Sequence, residues 1–419
     1  MPVAIHPGCI DAEPMATDQT NQGRVAGGGG EVFRVFLKLG LTSFGGPIAH
    51  LGYFRDELVL RRRWLSEAAY ADLIALCQFL PGPASSQVGF ALGYLRAGLA
   101  GALLAWAAFT LPSAALLLAF ALGADAFGGP MGQDLIHGLK LTAVAIVAQA
   151  VWGMARALAP DRTRATIALA AVMILTLMPT ALGQLTAIGA GAIAGTLWCR
   201  RVDQRVVSHL PVPISRRAAL LLLVLFLALL LGLPVLVAAW EVPGLALFEV
   251  FFQAGALVFG GGHVVLPLLE TRLVEPGWVS ADAFLAGYGA AQAVPGPLFT
   301  VAAYLGAMAT PGPDGIIGAA IALLGIFVPG MLLLLGVLPF WDRLRHADPA
   351  RAAMAGTNAA VVGILGAALY HPVWTSAVAS MADFAIALAA FILLTAWRAP
   401  PWLVVAVTVL AALALGGAA

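Results

Sequence analysis

The chain has 419 residues, of which 61% are hydrophobic and 10% are charged, and its mean hydropathy is +0.94. A soluble domain carries roughly 25% charged residues, so this composition excludes an ordinary water-soluble protein. The net charge of +1 is uninformative about partners, but the sequence has no basic face that could bind a nucleic acid, so no nucleic-acid partner is expected. Cys9, Cys77 and Cys199 are too scattered to predict a disulfide framework or a metal site.

Apolar runs recur along most of the chain. Residues 1–30 are polar, end in a run of glycines and lack the apolar core of a signal peptide, so they predict a disordered tail. Beyond them, runs such as 99–122, 136–158 and 218–240 are about 20 residues long, which is enough to cross a hydrocarbon core of roughly 30 Å as a helix. The sequence therefore predicts an all-α polytopic membrane protein.

Two halves of the chain resemble each other. FRVFLKLGLTSFGG at 33–46 matches FEVFFQAGALVFGG at 248–261 with an offset of 215 residues. The PGP motif at 81–83 matches PGP at 295–297 with an offset of 214. Short Gly and Pro strings recur by chance in a chain with 47 Gly and 26 Pro, but only these copies keep FGG and PGP at a matching distance with Trp and Gln between them. The predicted domains are a tail (1–30), a first repeat (31–199), a basic linker with a connecting transmembrane helix (200–247) and a second repeat (248–419).

The basic residues predict how the repeats are oriented. Lys and Arg gather in cytoplasmic loops, and the arginines of 200–217 form the strongest cluster, so this loop is placed inside. Helix 218–240 has no counterpart before the first repeat, so the second repeat starts on the opposite side of the membrane. Arg61–Arg63 stay inside only if the segments broken at FGG and PGP are re-entrant hairpins. The sequence thus predicts inverted repeats, and spanning segments in place of the hairpins would weaken the assigned orientation.

The broken segments predict a transport site. Proline interrupts a helix, and interrupted helices at corresponding places of two inverted halves indicate a substrate site. Each new half-helix has unpaired N–H groups and about half a positive charge at its start, and glycine lets an anion approach the backbone. Four such ends near the midplane would hold a divalent tetrahedral oxyanion. The alternative is that Gly and Pro only allow close helix packing.

The substrate-binding residues predicted on this basis are Ser43, Phe44, Gly45, Gly46, Pro47, Gln78, Pro81, Gly82, Pro83, Ser85, Ser86 and Gln87 in the first half, and Phe259, Gly260, Gly261, Gly262, Gln292, Pro295, Gly296, Pro297 and Thr300 in the second. Ser85-Ser86 face Phe299-Thr300 in the alignment, so the first half is expected to donate more hydrogen bonds to the substrate.

Four ionisable residues lie close to the apolar segments. Lys38 and Lys140 are predicted to balance the charge of a dianion, and His50 and His263 are predicted to couple proton movement. Each of the four could equally be an interfacial side chain that snorkels to the membrane surface.

The motifs FLKLGLTSFGGPIAHLGYFRDELV, RRRWLSE and QFLPGPASSQVGFALGYLRAGLAGALLA in the first half, with FFQAGALVFGGGHVVLPLLETRLV, GWVS and QAVPGP in the second, resemble the chromate ion transporter family. The resemblance is strongest over about 33–120 and 248–370. It implies a multi-pass protein of the bacterial plasma membrane that exports chromate, with sulfate as a chemical analogue, driven by membrane energy and without a catalytic cofactor. The two repeats differ at one motif position, because Pro47 of the first half aligns with Gly262 of the second.

Other functions remain open at this point. An exporter of organic anions or amino acids, or a passive anion channel, would use the same broken helices. An intramembrane enzyme is disfavoured because the sequence contains no DxxD, HExxH or Ser/His/Asp set. The physiological substrate, the coupling ion and the oligomeric state, including a homodimer, are not determined by the sequence.

Overall fold

The computed structural model describes residues 28–123, 129–199 and 214–416, and within these ranges the regular structure is entirely helical. The predicted tail, except its last three residues, and most of the basic linker lie outside the described residues. The helices of the first half are α1 (Gly29–Thr42), α2 (Gly46–Phe54, extended by a π-helical segment Arg55–Arg61), α3 (Glu67–Phe79), α4 (Ala84–Leu122), α5 (Pro130–Leu158), α6 (Arg162–Leu177) and α7 (Ala181–Trp198). Helix α8 (Arg216–Ala239) connects the halves. The helices of the second half are α9 (Pro243–Leu257), α10 (Val265–Leu273), α11 (Ala281–Ala293), α12 (Val301–Met308), α13 (Gly315–Val337), α14 (Trp341–Leu344), α15 (Asp348–Ala368), α16 (Thr375–Ala377), α17 (Met381–Thr395) and α18 (Pro401–Gly416), with 3-10 turns Gly262–Val264 and Leu298–Thr300 before α10 and α12.

The helices identify a multi-pass membrane protein. Six of those in the described ranges are long and apolar enough to cross a membrane. On α8, the best membrane-spanning window has a mean hydropathy of 3.2 and is only 11% buried, with side chains such as Leu221 and Leu231 exposed. Apolar side chains that face away from the protein over such a length require lipid around them. The prediction of an all-α polytopic membrane protein is confirmed.

Helix α4 is two elements joined end to end. Ala97 and Gly98 have non-helical backbone angles, and Gly98 has a φ of +66°. They separate a short arm at 84–96 from a long, membrane-spanning arm at 99–122. In the second half, α12 and α13 are the corresponding elements, and a loop replaces the kink. Helices α3 and α11 therefore form hairpins with the short arm of α4 and with α12, respectively.

The ends of the first-half hairpins lie together. Glu31, at the start of α1, binds Arg62 after α2 at 3.4 Å and Arg96 at the end of the short arm of α4 at 3.0 Å. The first hairpin therefore begins and ends at the same end of the molecule, and the second hairpin ends there too. Both hairpins therefore open toward one end of the molecule, and their re-entrant placement in the membrane stays a prediction.

The second half repeats this arrangement with exchanged charges. Lys38 on α1 binds Glu57 after α2 at 3.4 Å, and at the corresponding positions Gln253 on α9 accepts a hydrogen bond from Arg272 on α10 at 2.7 Å. The Arg272 guanidinium also binds Glu249 at 2.5 Å. Equivalent helices thus close equivalent hairpins, although the cation sits on the first helix in one half and on the second in the other.

Glycines serve two purposes in these hairpins. A Cβ on Gly40 would lie 2.8 Å from the Phe109 carbonyl oxygen, and one on Gly255 would lie 2.3 Å from that of Ile326, so both allow close helix packing. Glycines within the motifs have another reason, because Gly45 and Gly260 have φ angles of +99° and +73°. Side chains rarely adopt such angles, so these glycines are required by the chain reversals.

Two groups of helices build the molecule. The hairpin layer contains α1–α4 and α9–α13. The remaining long helices, α5–α7, α15, α17 and α18, form a bundle beside it. Gly356 on α15 packs against Gly191 and Gly195 of α7, and Gly138 on α5 packs against Val409 of α18 in the same way. Gly138 and Gly356 are therefore equivalent residues, at an offset of 218.

Candidate substrate site

The four hairpin tips meet through two backbone hydrogen bonds. The N–H of Gly82 donates to the carbonyl of Val258 at 2.8 Å, and the N–H of Gly296 donates to the carbonyl of Ser43 at 2.8 Å. Gly82 corresponds to Gly296, and Ser43 to Val258. Each half thus joins its PGP tip to the FGG tip of the other half, which brings the predicted motifs together around a pseudo-twofold axis.

The FGG tips also meet each other at this axis. A Cβ on Gly262 would lie 3.5 Å from Cγ of Pro47, its equivalent in the first half, and 3.4 Å from the Phe299 ring. Leu298 lies at a similar distance of 3.6 Å. Residues that open the half-helices of both halves are therefore in van der Waals contact.

The half-helices that leave the tips point their N-termini at this centre. Helix α2 begins at Gly46 with Pro47 in its first turn, and α4 begins at Ala84 after Pro83. N–H groups in the first turn of a helix have no partner within the helix and carry partial positive charge. The centre of the molecule can therefore bind an anion through backbone groups.

Buried hydroxyls of the first half surround the same centre. Ser43 is fully buried and Ser86 is nearly so, and neither hydroxyl has a hydrogen-bond partner among the described residues. Ser85, also buried, lies 3.4 Å from Nδ1 of His50, which links α2 to α4. Buried polar groups are usually hydrogen-bonded, so the unpartnered hydroxyls are suited to a polar ligand.

At the tips, the described part of the second half presents fewer free donors: the amide nitrogen of Gln292 is buried without a hydrogen-bond partner, and the hydroxyl of Thr300 is not free. The Thr300 hydroxyl donates to the carbonyl of Pro297 at 2.7 Å, within its own turn. His263 contacts the hydroxyl of the buried Tyr288 at 2.5 Å and so joins its two hairpins, as His50 does in the first half. Phe259, Gly261 and Pro295 are half-buried at the tips. The expected polarity difference between the halves stays a prediction for substrate binding.

The three glutamines differ. Gln87 donates from Nε2 to the carbonyls of Pro81 at 3.1 Å and of Gly330 on α13 at 3.0 Å, so its amide clamps the tip. Gln78 is exposed on α3, and its equivalent Gln292 is half-buried on α11. Only Gln87 is therefore fixed in place by hydrogen bonds across the two halves.

Both predicted lysines form ion pairs. Lys38 pairs with Glu57, as described above, and its side chain is 56% exposed. Lys140 on α5 pairs with Asp282 at the start of α11 at 2.7 Å. These partners account for both charges, and a role of either lysine toward a substrate stays a prediction.

Equivalent hairpin tips differ in how the bundle covers them. A Cβ on Gly260 would lie 3.0 Å from Leu158 of α5 and 3.4 Å from Oδ1 of Asn358 on α15. A Cβ on the equivalent Gly45 would meet, among the described residues, only Ala49 of its own helix within 4 Å. The bundle therefore covers the FGG tip of the second half and leaves that of the first half uncovered.

The same difference extends along α2 and α10. Gln184 of α7 donates to the carbonyl of Pro267 at 2.9 Å and to the Thr271 hydroxyl at 2.6 Å. The equivalents of Pro267 and Thr271 are Gly52 and Asp56, and both are exposed. Ile48, beside the first tip, is 87% exposed. Within the described ranges, one face of the first-half hairpins thus lacks the protein cover that its counterpart has.

The sequence motifs missed polar residues on the helices that face the tips. Thr110 and Ser113 lie in the long arm of α4, where Ser113 Oγ would be 2.8 Å from a Cβ on Gly296. Trp106 lies one turn before Thr110, and Asn358 lies against Gly260. The available signal was a single polar or indole side chain inside an apolar run, which the tip motifs did not include.

Comparison with known proteins agrees with this architecture. The family model described as chromate transporter matches two regions, residues 30–196 and 245–415. A probable chromate transport protein of Synechococcus elongatus is 28% identical over 361 residues, which cover 81% of this chain and 83% of the relative. Chromate transport proteins of Pseudomonas aeruginosa (29% identical, 80% of this chain and 79% of the relative) and Cupriavidus metallidurans (27%, with 80% of each chain covered) are also similar. No solved structure matches. This chain belongs to the chromate transporter family, and the relatives named here are transporters and not enzymes.

Proposed function

We propose that this protein exports chromate, or a sulfate-like tetrahedral oxyanion, across the bacterial plasma membrane. The names of its relatives in Pseudomonas aeruginosa and Cupriavidus metallidurans support chromate as a substrate. The observation that carries the proposal is the meeting of helix N-termini from both halves beside the unpartnered, buried hydroxyls of Ser43 and Ser86. Backbone N–H groups and hydroxyls suit a multivalent oxyanion that has acceptor oxygens on every side.

The substrate site uses dipoles rather than a fixed cation. Lys38 and Lys140, the lysines nearest the apolar segments, are paired with Glu57 and Asp282. A site of helix dipoles and hydroxyls attracts a dianion without binding it as tightly as an arginine cage would, because each N-terminus supplies only about half a charge. Moderate attraction is required of a site that must also release its ligand.

The bundle covers the FGG tip of the second half and not that of the first half, and this asymmetry supports export. The first-half hairpins carry Arg62 and Arg96 at their open ends, which the positive-inside rule assigns to the cytoplasm. Among the described residues, the bundle does not cover their face around Gly45 and Ile48, and we take this face as the route from the cytoplasm to the tips. On the opposite side, the Lys140–Asp282 pair and the contacts of Gln184 close the second-half hairpins. An anion would thus load from the cytoplasm.

Energy would come from the membrane gradient or from exchange for another anion. His50 and His263 each join the two hairpins of their half near the tips, through Ser85 and Tyr288 respectively. Protonation of either imidazole would change the hydrogen bond that holds two hairpins together. This arrangement supports proton coupling more directly than it supports a role for the paired lysines.

Flux through proteoliposomes tests the proposal. Purified protein is reconstituted, the pH gradient and the membrane potential are set independently, and uptake of labelled chromate or sulfate is followed. Saturable flux with counterflow, which depends on at least one gradient or on an opposing anion, is expected. Flux that rises linearly with concentration would instead indicate a channel. Preference for small carboxylates in a competition panel would indicate an organic-anion exporter.

A further inference from the structure

The long arm of α4 carries a polar stripe on one side. Trp106, Thr110 and Ser113 are spaced i, i+4 and i+7, so they lie on one face of this helix. Such side chains are unusual in a segment whose other residues are Ala, Leu and Phe, apart from Gly101 and Pro112. Because polar groups inside a membrane require partners, the stripe needs an explanation from its surroundings.

The stripe lies at the depth of the hairpin tips. Ser113 Oγ would be 2.8 Å from a Cβ on Gly296, in the PGP tip of the second half. The Phe109 ring, beside Thr110, packs edge-on against His50 of the first FGG tip with centroids 5.4 Å apart. Helix α4 thus passes both tips within about one turn of Thr110.

Two donors of the stripe have no partner. Thr110 is fully buried, and its hydroxyl has no hydrogen-bond partner in the described part of the chain. The same holds for the buried indole N–H of Trp106. Ser113 differs, because its hydroxyl donates to the Thr110 carbonyl at 3.0 Å. Leaving a buried donor unpaired is costly, so the two free groups favour a ligand that accepts hydrogen bonds.

The second half has no equivalent of these donors. At an offset of 217, Trp106 corresponds to Leu323 and Thr110 to Phe327, both apolar and buried. The Trp106 ring packs on Phe327 with centroids 5.8 Å apart, and Phe327 packs on Phe299 at 6.1 Å. These contacts place the indole beside the tip of the second half, while its N–H stays unpaired.

We propose that Trp106 and Thr110 are substrate-binding residues that donate hydrogen bonds to the bound oxyanion from the wall of the site. The inference rests on the proposed function and adds a side-chain wall to the backbone site at the tips. Because only the first half supplies the wall, the anion sits off the pseudo-twofold axis, on the α4 side. An indole N–H can only donate, so this contact requires an acceptor oxygen on the ligand.

Conservative variants test whether Trp106 and Thr110 bind the substrate. Trp106→Phe removes the indole N–H and keeps an aromatic ring, and Thr110→Val removes only the hydroxyl. Each is expected to raise the half-saturating chromate concentration by about tenfold, since hydrogen bonds to charged ligands are worth that much or more. The maximal flux per reconstituted protein should change far less. Thr110→Ser keeps the hydroxyl and should retain the wild-type half-saturation.

A matched control and a second ligand keep the test specific. Thr142→Val removes a buried hydroxyl that has partners on α5 and α18, away from the tips, and should leave half-saturation unchanged. Sulfate competition should weaken in parallel with chromate in Trp106→Phe and Thr110→Val. If Trp106→Phe and Thr110→Val both keep the wild-type half-saturating concentration, Trp106 and Thr110 do not bind the substrate. The proposed function would then remain intact, provided that Ser86→Ala still weakens binding. Loss of maximal flux alone, or no saturable flux in the wild type, would also overturn the role of Trp106 and Thr110, and the latter would remove the proposed function as well.

Discussion

Gly262 lies against Pro47 at the centre of the molecule, with 3.5 Å between a Cβ on the glycine and Cγ of the proline. The two residues hold the same position in the two halves, so the pseudo-twofold axis passes between them. The distance is ordinary van der Waals contact for one methyl group but leaves no room for a longer side chain. The space at the axis therefore depends on the two repeats having different residues at this position, proline in the first half and glycine in the second.

Substituting Gly262 tests the space at the axis. Gly262→Ala should retain near wild-type chromate flux, because the added Cβ meets Pro47, Phe299 and Leu298 at 3.4–3.6 Å. Gly262→Leu should abolish flux, because its branched side chain would fill the point where the tips meet. Chromate flux in proteoliposomes, normalised to the amount of inserted protein, measures both. Transport by the leucine variant at the wild-type rate would place the substrate path elsewhere.

The motif glycines give a matched pair. Both Gly45 and Gly260 have positive φ, so Ala at either position costs roughly 1–2 kcal/mol in backbone strain. At Gly260 the new methyl would meet three side chains of the bundle, Leu158 at 3.0 Å and Asn358 and Met154 at 3.4 Å, whereas at Gly45 it would meet only Ala49 of its own helix, at 3.2 Å, among the described residues. Gly260→Ala should therefore lower the thermal unfolding temperature in detergent more than Gly45→Ala. Valine at either position should stop transport. Equal thermal shifts for the two alanine variants would contradict the difference in cover.

The serines at the first PGP tip should not be equivalent. Ser86 has a free hydroxyl, whereas Ser85 contacts His50. Ser86→Ala should raise the half-saturating oxyanion concentration by about tenfold, since a hydrogen bond to a charged group is lost. Thr300→Val should change it much less, because that hydroxyl already donates to Pro297. A larger effect at Thr300 than at Ser86 would reverse the assigned polarity of the two halves.

Much of the fold was predictable because Gly and Pro constrain the backbone locally. FGG and PGP predicted all four chain reversals, and at Gly82 and Gly296 the structure has φ angles of +124° and +106°. The pairing of Gly82 with Val258 was not predictable, since no side chain distinguishes that carbonyl from its neighbours. Local sequence does not encode which tips meet across the two halves.

The candidate site was predictable only in part. Motif residues such as Ser86 were identified from their position after a helix break. Trp106 and Thr110 were missed because they lie inside the long apolar arm of α4, where only the three-dimensional position of the tips indicates that they face the candidate site. The uneven cover of Gly45 and Gly260 was also unpredictable, since the repeat sequences are alike there and the difference arises from where the bundle lies.

The hairpin ends test the membrane orientation. Arg63 and Arg96 should face the cytoplasm, because Arg96 shares Glu31 with Arg62 at the open end of both hairpins. A cysteine at Arg63, in a variant without the three native cysteines, should resist an impermeant thiol reagent added outside intact cells. The same cysteine should react in inside-out vesicles. Strong labelling from outside would invert the orientation and with it the proposed direction of transport.

Paired cysteines test whether the bundle moves during transport, from covering the hairpins of the second half to covering those of the first half. In the structure Lys140 meets Asp282 at 2.7 Å, and their equivalents in the other half are Asn358 and Ala68. Transport between two inverted halves requires the uncovered face to be closed in turn, which would bring Asn358 to Ala68. The pair Lys140→Cys with Asp282→Cys should cross-link readily, and Ala68→Cys with Asn358→Cys should cross-link within one chain during turnover.

Each of these cross-links should stop chromate flux, and reduction should restore it. Gel mobility separates the outcomes, because a cross-link between two copies doubles the apparent mass. Dimer formation through Ala68→Cys and Asn358→Cys would mean that a second copy, not the bundle, covers the face around Gly45. If that pair never cross-links in an actively transporting protein, the bundle stays on the second half throughout the cycle. The anion would then have to leave by a path that does not involve exchange of the covered face.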